Sequence, residues 1–312
     1  MSRPKIVFMG TPEFAVPSLE ILITHNYPII AVVTQPDRPK GRGQHMIPSP
    51  VNTCAQRHNL PVLQPERVWN SDFTKYLRNL APDLVVVAAF GQILPREILE
   101  IPQKGCVNVH PSLLPKFRGA APINWTIVQG ETKTGVTIML MDEGLDTGDI
   151  LAQEETLLAF EETSGELHNR LAEMGAALLL RTTEMILSGA AIRTPQDASL
   201  ATYAPRLKKE DGLIRWDMEV HHIVNLIRGF SPMPGAYSFF KGKVLKIFSV
   251  TGEEMPVTDM PGKICRETEK GLSVAARNGY VWLREIQLEN KKRMPVRDFL
   301  RGFRILPGDV LG

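Results

Sequence analysis

Short uninterrupted apolar runs alternate with stretches of helical periodicity through the first third of the chain. Lys5–Met9 reads as a buried strand closed by Gly10, Ile29–Val33 as a second, Leu84–Ala88 as a third and Cys106–Val109 as another. Between them, Thr11 followed by Pro12 predicts the cap and first residue of a helix running towards His25, because proline presets φ and needs no amide partner there. Ser49 and Pro50 repeat that signal. Strands separated by helices make βαβ units and a parallel sheet. An unbroken run such as Leu84-Val85-Val86-Val87 suits a strand covered on both faces.

Further strands are expected over Val136–Met141 and from Ile150 onward, then a helix from about Ser164 to Leu187 ended by Gly189. Ala190–Pro205 lacks clear periodicity and reads as a linker. Beyond it come a helix near His221–Arg228 and β-type runs at Val244–Val250, Leu272–Arg277 and Tyr280–Ile286. Asn278-Gly279 is predicted to turn the last two into a hairpin, both residues tolerating positive φ. The fold class expected is therefore α/β. A Rossmann-like, mainly parallel domain over residues 1–189 and a linker over 190–205 precede a smaller β-rich, OB-like barrel over 206–312.

Composition supports two folded domains. The 312 residues are 43% apolar and 22% charged, unlike a disordered chain, and domains typically run ~100–200 residues. The 36 Lys plus Arg and 34 Asp plus Glu leave a net charge of +2, which at first argues against a dedicated nucleic-acid binder. Division at residue 205 changes the picture, since residues 1–205 carry 17 basic and 21 acidic residues and residues 206–312 carry 19 and 13. The near-neutral total conceals a basic second part able to attract a polyanion. Cys54, Cys106 and Cys265 have no paired spacing, so neither a disulfide framework nor a zinc site is expected. No export signal is expected, because apolar Ile6–Met9 gives way at once to Thr11-Pro12-Glu13. The longest apolar stretch, Met174–Leu180, falls far short of the ~20 residues that a membrane span needs.

Candidate chemistry begins at the end of a predicted strand. Alternation puts Asn108 and His110 on one face, roughly 7 Å apart, with Val107 and Val109 on the other. Pro111 stops the strand and places the pair at the carboxyl edge of the sheet, where open α/β folds hold ligands. An isolated Asn-x-His is more often a capped strand end, and its position at this edge is what singles it out. The second candidate is the loop Met141–Asp149, in which Gly144 and Gly148 allow a tight turn that can hold a carboxylate against a cleft. Asp146-Thr147-Gly148 does not make an aspartic protease, because two carboxylates must share a proton and no second Asp-Thr-Gly occurs. Cys106 reads as a buried filler. His221 and His222, adjacent on a helix, should project to different faces.

These residues resemble a known signature. Asn108-Val-His110-Pro-Ser112-Leu-Leu-Pro115, followed by Arg118-Gly119 and by Asp142-Glu-Gly-Leu-Asp146-Thr-Gly148, is similar to the paired motif of the folate-dependent formyltransferases. The likeness runs from Gly10-Thr-Pro-Glu-Phe14 through Ala88-Ala-Phe-Gly91 and Ala204-Pro-Arg-Leu-Lys208 to Arg228-Gly-Phe-Ser-Pro232. Residues 34–50, with Arg38, Lys40 and Arg42, exceed the usual ~2–6 residues of a βα connection. They resemble the insertion by which members acting on initiator methionyl-tRNA engage its acceptor end. Cations on a glycine-containing loop suit phosphates and unpaired bases.

The resemblance implies transfer of formyl from 10-formyltetrahydrofolate, as co-substrate and without a metal, to the α-amino group of methionine on initiator methionyl-tRNA. It implies Asn108 and His110 as donors at the reacting centre, with Asp146 either orienting His110 or accepting the proton of the amine. Ser112, Leu113, Leu114 and Pro115 become the folate segment, Phe90, Gly91, Gln92 and Ile93 its other wall, and Glu143 and Gly144 neighbours of the pterin. Arg38, Lys40 and Arg42, with Lys291, Lys292 and Arg293, become tRNA contacts. The expected protein is a cytoplasmic monomer serving translation initiation. Two alternatives remain: a formyltransferase for an amino-sugar nucleotide, which the basic segment 34–50 disfavours, and an RNA-binding protein that has lost catalysis, which the intact Asn108, His110 and Asp146 disfavour.

Overall fold

A computed structural model describes residues 4–40, 45–306 and 308–312. By contact density the chain divides into two units: residues 1–119, 134–156 and 168–204 form the first, and residues 120–133, 157–167 and 205–312 the second. Among the described residues, no helix is long and apolar enough to cross a membrane.

Through residue 204 the strands are β1 (Ile6–Gly10), β2 (Ile29–Val33), β3 (Arg38–Lys40), β4 (His45–Ile47), β5 (Val62–Leu63), β6 (Leu84–Ala88), β7 (Cys106–His110), β8 (Arg118–Gly119), β9 (Lys133–Leu140), β10 (Ile150–Leu157) and β11 (Tyr203–Ala204). The helices are α1 (Val16–Thr24), α2 (Pro50–Arg57), α3 (Ser71–Leu80), α4 (Arg96–Leu99), α5 (Pro122–Val128) and α6 (Ser164–Ser188). Seven strands form one sheet in the order β10-β9-β7-β6-β1-β2-β5. The segment from β7 to β5 is parallel, as its apolar runs predict, whereas β9 returns antiparallel to β7. Every residue of β1 and β6 is buried, and each large aliphatic side chain so enclosed stabilises the fold by about 1.5–3 kcal/mol.

Glycine 175 brings α6 close to this sheet. A Cβ there would stand 2.8 Å from Val109 Cγ1 and 3.3 Å from Val136 Cγ1. The helix thus covers the Val109 face of β7, and the pleat turns Asn108 and His110 to the opposite face.

Capping expectations divide. Ser49 caps α2 by accepting from Asn52 N at 3.0 Å, and its hydroxyl meets Thr34 Oγ1 at 2.7 Å. Thr11 does not cap α1, which begins at Val16 after a short 3-10 turn over Glu13–Ala15. Its hydroxyl instead donates to Phe90 O at 3.0 Å and accepts from Gln35 N at 3.4 Å. A tertiary bond between loops has displaced the local one.

The stretch read as a linker is integrated into the first unit up to Ala204. Thr194 bridges Ile150, and β11 pairs in parallel with β8. Aperiodic sequence here reflects a strand-like strap whose bonds are made to distant parts of the chain.

The second unit adds α7 (Val220–Phe230), β12 (Ala236–Phe240), β13 (Lys243–Glu254), β14 (Ile264–Thr268), β15 (Gly271–Ala276), β16 (Gly279–Leu288), β17 (Met294–Pro295) and α8 (Val296–Gly302). Its antiparallel sheet runs β12-β13-β16-β15-β14, with β17 on β16. Register shifts near Ser249 bend β13, as bulges do, and a single core gathers Ile247, Val274, Val281, Ile286, Ile227 and Phe299. Helix α5 belongs here because Asn124 Nδ2 donates to Gly229 O at 2.7 Å, at a point where a Cβ on Gly229 would lie 2.5 Å from Val128 Cγ2.

The β15–β16 hairpin forms one residue earlier than predicted. Ala276 pairs with Gly279, so Arg277-Asn278 make the turn, and neither has positive φ. Asn278 Oδ1 accepts from Val220 N at 2.8 Å and so caps α7. That requirement fixes the side chain and outweighs the local preference for Asn-Gly.

Candidate active site

Strand β7 delivers Asn108 and His110 to the carboxyl edge of the parallel strands. His110 is 3% exposed. Its Nε2 lies 3.1 Å from Phe117 O, and because a carbonyl oxygen only accepts, Nε2 carries the hydrogen. Its Nδ1 faces Asp146 Oδ2 at 3.7 Å, beyond direct hydrogen-bond length. Asn108 is half-buried and its side chain makes no hydrogen bond among the described residues. One neutral donor amide and one oriented imidazole therefore stand on the same strand face.

The loop between β9 and β10 presents Asp146 in a left-handed conformation, φ 53°, which costs a non-glycine residue roughly 1–3 kcal/mol. The surroundings hold it there. Gly119 N donates to Asp146 Oδ2 at 2.8 Å, and Gln196 Nε2 donates to Asp146 O at 2.9 Å and to Gly148 O at 2.7 Å. Gln196 is oriented in turn by Arg118, 4% exposed, whose Nε and Nη2 donate to Gln196 Oε1 at 3.1 and 2.7 Å. Asp142 stabilises the turn itself, accepting from Gly144 N at 3.0 Å and from Thr147 Oγ1 at 2.7 Å. Gly148 has no room for a side chain, since a Cβ would meet Leu140 O at 1.8 Å.

The segment after β7 is locked from beneath. Thr137 Oγ1 donates to Ser112 O at 2.7 Å and accepts from Leu114 N at 3.1 Å, and Gln153 Nε2 donates to Leu114 O at 2.8 Å. Ser112 is fully buried and its hydroxyl donates to Lys116 O at 2.7 Å, while Leu114 is buried. Leu113 packs over Gly135, leaving Pro115 partly exposed.

After β6, Phe90 is buried and Gly91, at φ 87°, is exposed. Gln92 ties down the preceding loop, accepting from Val68 N at 3.0 Å and donating to Glu66 O at 3.3 Å. Ile93 is 78% exposed. Arg96 Nε lies 3.7 Å from Glu143 Oε1, which brings the Ile93 loop to the loop of Glu143, Gly144 and the exposed Leu145.

Within residues 34–50, β3 and β4 pair antiparallel, Arg38 opposite Ile47 and Pro39 opposite Met46. Arg38 is exposed, and Lys40 ends β3 opposite His45; Arg42 lies outside the described residues. Just before β3, Asp37 Oδ1 accepts from Gln64 Nε2 at 2.7 Å and from Asn52 Nδ2 at 3.2 Å. In the second unit Lys292 is exposed, Lys291 lies over the Phe303 ring, and Arg293 pairs with Glu285 and stacks on Phe248 at 4.3 Å.

His221 and His222, expected on different faces, have ring centroids 4.0 Å apart and share Glu219 within ligand reach. Glu20, Cys54 and His58 form a second such group, in which burial pushes the Cys54 thiol up to about 11. Cys106 is pushed up to about 12 by burial, consistent with a filler.

Sequence reading did not find Gln196, Thr137, Gln153 or the Gly119 amide. Gln196 sat in an aperiodic stretch, and the other three act through bonds between residues far apart in the chain.

A mainly parallel sheet followed by an antiparallel β-rich unit is the fold of the formyltransferase class. The model described as "Formyl transferase" matches residues 4–183, and "Formyl transferase, C-terminal domain" matches residues 206–304. The chain is 59% identical over its full length to methionyl-tRNA formyltransferase of Syntrophus aciditrophicus strain SB, covering 100% of both proteins. It is 50% identical to methionyl-tRNA formyltransferase of Geobacter sulfurreducens, covering 100% of this chain and 98% of the other. The chain belongs to the methionyl-tRNA formyltransferase family. A solved N-formyltransferase from Helicobacter canadensis, in complex with folinic acid and dTDP-3-aminofucose, shares the fold. That likeness has a TM-score of 0.68 at 20% identity, over 93% of this chain and 100% of that one.

Proposed function

We propose that this protein transfers the formyl group of 10-formyltetrahydrofolate to the α-amino group of methionine on initiator methionyl-tRNA, acting as a cytoplasmic monomer. One observation carries the reading. His110 Nδ1 faces Asp146 beside the unengaged amide of Asn108, in a chain whose full-length relatives bear the name of that reaction.

When bound, the folate supplies a formyl carbon open to attack by an amine. The Asn108 amide donates to the formyl oxygen as it gains negative charge, and a preorganised donor of this kind is worth about 2.7–4 kcal/mol of barrier. Because Nε2–H is held by Phe117 O, His110 would take the proton that the attacking amine releases on Nδ1 and pass it to the departing nitrogen as that nitrogen's bond to the formyl carbon breaks. Asp146 fixes the ring and balances the charge it takes up. The 3.7 Å gap is of the kind that closes when substrate completes the site.

The folate would lie along Leu113 and Pro115 on one side and Phe90, Gly91 and Ile93 on the other. An apolar side chain as exposed as Ile93, on a loop joined to that of Leu145, fits an apolar ring wall. Ser112, Leu114 and Gln92 use their polar groups internally and would contribute backbone and shape. Glu143 and Gly144 would border the pterin. For tRNA, Arg38, Lys40 and Arg42 would meet the acceptor end, with Lys291, Lys292 and Arg293 contributing positive charge along the second unit.

The test supplies 10-formyltetrahydrofolate and methionyl-tRNA and measures N-formylmethionine. Formylation of the initiator species is expected. Efficient transfer to an amino-sugar nucleotide with none to methionyl-tRNA would overturn the reading.

A further inference from the structure

Only two groups of the protein meet the ring nitrogens of His110, Phe117 O and the Asp146 carboxylate, among the described residues. Both belong to residues with positive φ, 60° at Phe117 and 53° at Asp146. A non-glycine residue is uncommon in that conformation, most of all a bulky one such as Phe117, so bonds from outside the turn help to hold it. One short segment supplies them for both. Thr202 Oγ1 accepts from Phe117 N at 2.9 Å, and Gln196 Nε2 donates to the carbonyls of Asp146 and Gly148. The segment is itself fastened on either side of the site, by Arg118 on Gln196 Oε1 and by β8–β11 pairing, with Arg118 N donating to Thr202 O at 2.8 Å.

We propose that Gln196 and Thr202 are positioning residues for the formyl-transfer site: residues 196–204 form a strap that clamps both partners of His110 at once. The proposal rests on the function given above. Thr202 Oγ1 and Gln196 Nε2 both bond to backbone groups, so each residue acts by holding a backbone conformation that presents a partner to the ring. Gln196 does so as a relay, its oxygen taken by a buried guanidinium and its NH2 given to two carbonyls. Glutamate at this position keeps the acceptor and gains an ion pair with Arg118, but it has no hydrogen to give to Asp146 O or Gly148 O. The folded strap and the donated bonds can therefore be separated by one substitution.

The experiment compares the full chain with Gln196→Glu, Thr202→Val and Thr202→Ser, measuring thermal unfolding, kcat, and KM for 10-formyltetrahydrofolate and for methionyl-tRNA. Gln196→Glu should melt within ~4 °C of the unchanged chain. Its kcat should fall at least ~10-fold with both KM values within ~2-fold, because a loosely placed partner lowers the rate of the chemical step more than substrate binding. Thr202→Val should show the same kcat loss, and Thr202→Ser, which restores the acceptor, should recover to within ~3-fold of the unchanged chain. Unaltered kcat in Gln196→Glu would overturn the proposal. So would parallel falls in melting temperature, kcat and substrate affinity, which would make the strap purely structural. An unchanged chain with no formyl transfer to methionyl-tRNA would sink the function itself, a result separable from active protein with indifferent variants.

Discussion

His110 and Asp146 meet Nδ1 to Oδ2 across 3.7 Å, with Gly119 N–H fixing the same carboxylate oxygen from its other side at 2.8 Å. Asparagine at 146 keeps an oxygen for Gly119 but loses the negative charge. Asp146→Asn and His110→Ala are each expected to lower turnover by at least about 100-fold, measured as N-formylmethionine formed under saturating substrate. A folded variant turning over at near-normal rate would remove that residue from the mechanism.

Gly119 is required by geometry. A Cβ there would stand 2.8 Å from Ala204 O, and φ is 119°. Gly119→Ala should therefore destabilise the protein by about 1–3 kcal/mol. Urea unfolding with an unchanged m-value would report this, and an unaltered midpoint would contradict the close approach of β8 and β11.

Ser49 caps α2 and its hydroxyl meets that of Thr34. Ser49→Ala should cost ~1 kcal/mol, the usual loss for a helix N-cap. Thermal unfolding monitored by circular dichroism checks it.

The Cys106 thiol, pushed up from 9.0 to about 12 by burial, should stay protonated and unalkylated by iodoacetamide at mildly alkaline pH until the protein unfolds. Mass spectrometry with and without denaturant decides this. The linkage has a definite sign. A folded-state value raised above the unfolded one contributes stability that is fully present below pH 9.0 and is lost as pH rises towards about 12, since only the unfolded chain then releases the proton.

The basic residues of the second unit and of residues 34–50 should make tRNA binding steeply salt-dependent. Raising salt from about 50 to about 200 mM should weaken tRNA binding ~10-fold or more, with folate affinity comparatively unchanged. Arg42→Leu should reduce tRNA binding more than folate binding. Filter binding and fluorescence titration measure the two, and equal losses would indicate general misfolding.

Much of this was legible in the chain. The apolar runs of β1, β2 and β6 announced a covered parallel sheet, and Pro111 located the end of β7, so the edge carrying Asn108 and His110 could be drawn from the pattern alone. Segment Asp142–Asp149 was recognisable as a shaped acidic loop from its two glycines. What misled was local preference: Thr11 looked like a cap and Asn278-Gly279 like a turn, yet each polar side chain bonds to a distant backbone group instead.

By itself the sequence determined the sheet and the β-rich part that follows it, and placed Asn108 and His110 together on one strand face, because these follow from periodicities and residue types local to a few positions. Tertiary structure alone decided which nitrogen of His110 faces Asp146, how Asp146 is held left-handed, and that residues 190–204 belong to the first unit. They depend on contacts that only the folded backbone assembles, from His110 to Phe117, seven positions apart, to Gln196 with Asp146 and Thr202 with Phe117, about 50 and more than 80 apart. Such bonds leave no periodic trace in the sequence, since only the folded backbone brings their partners together.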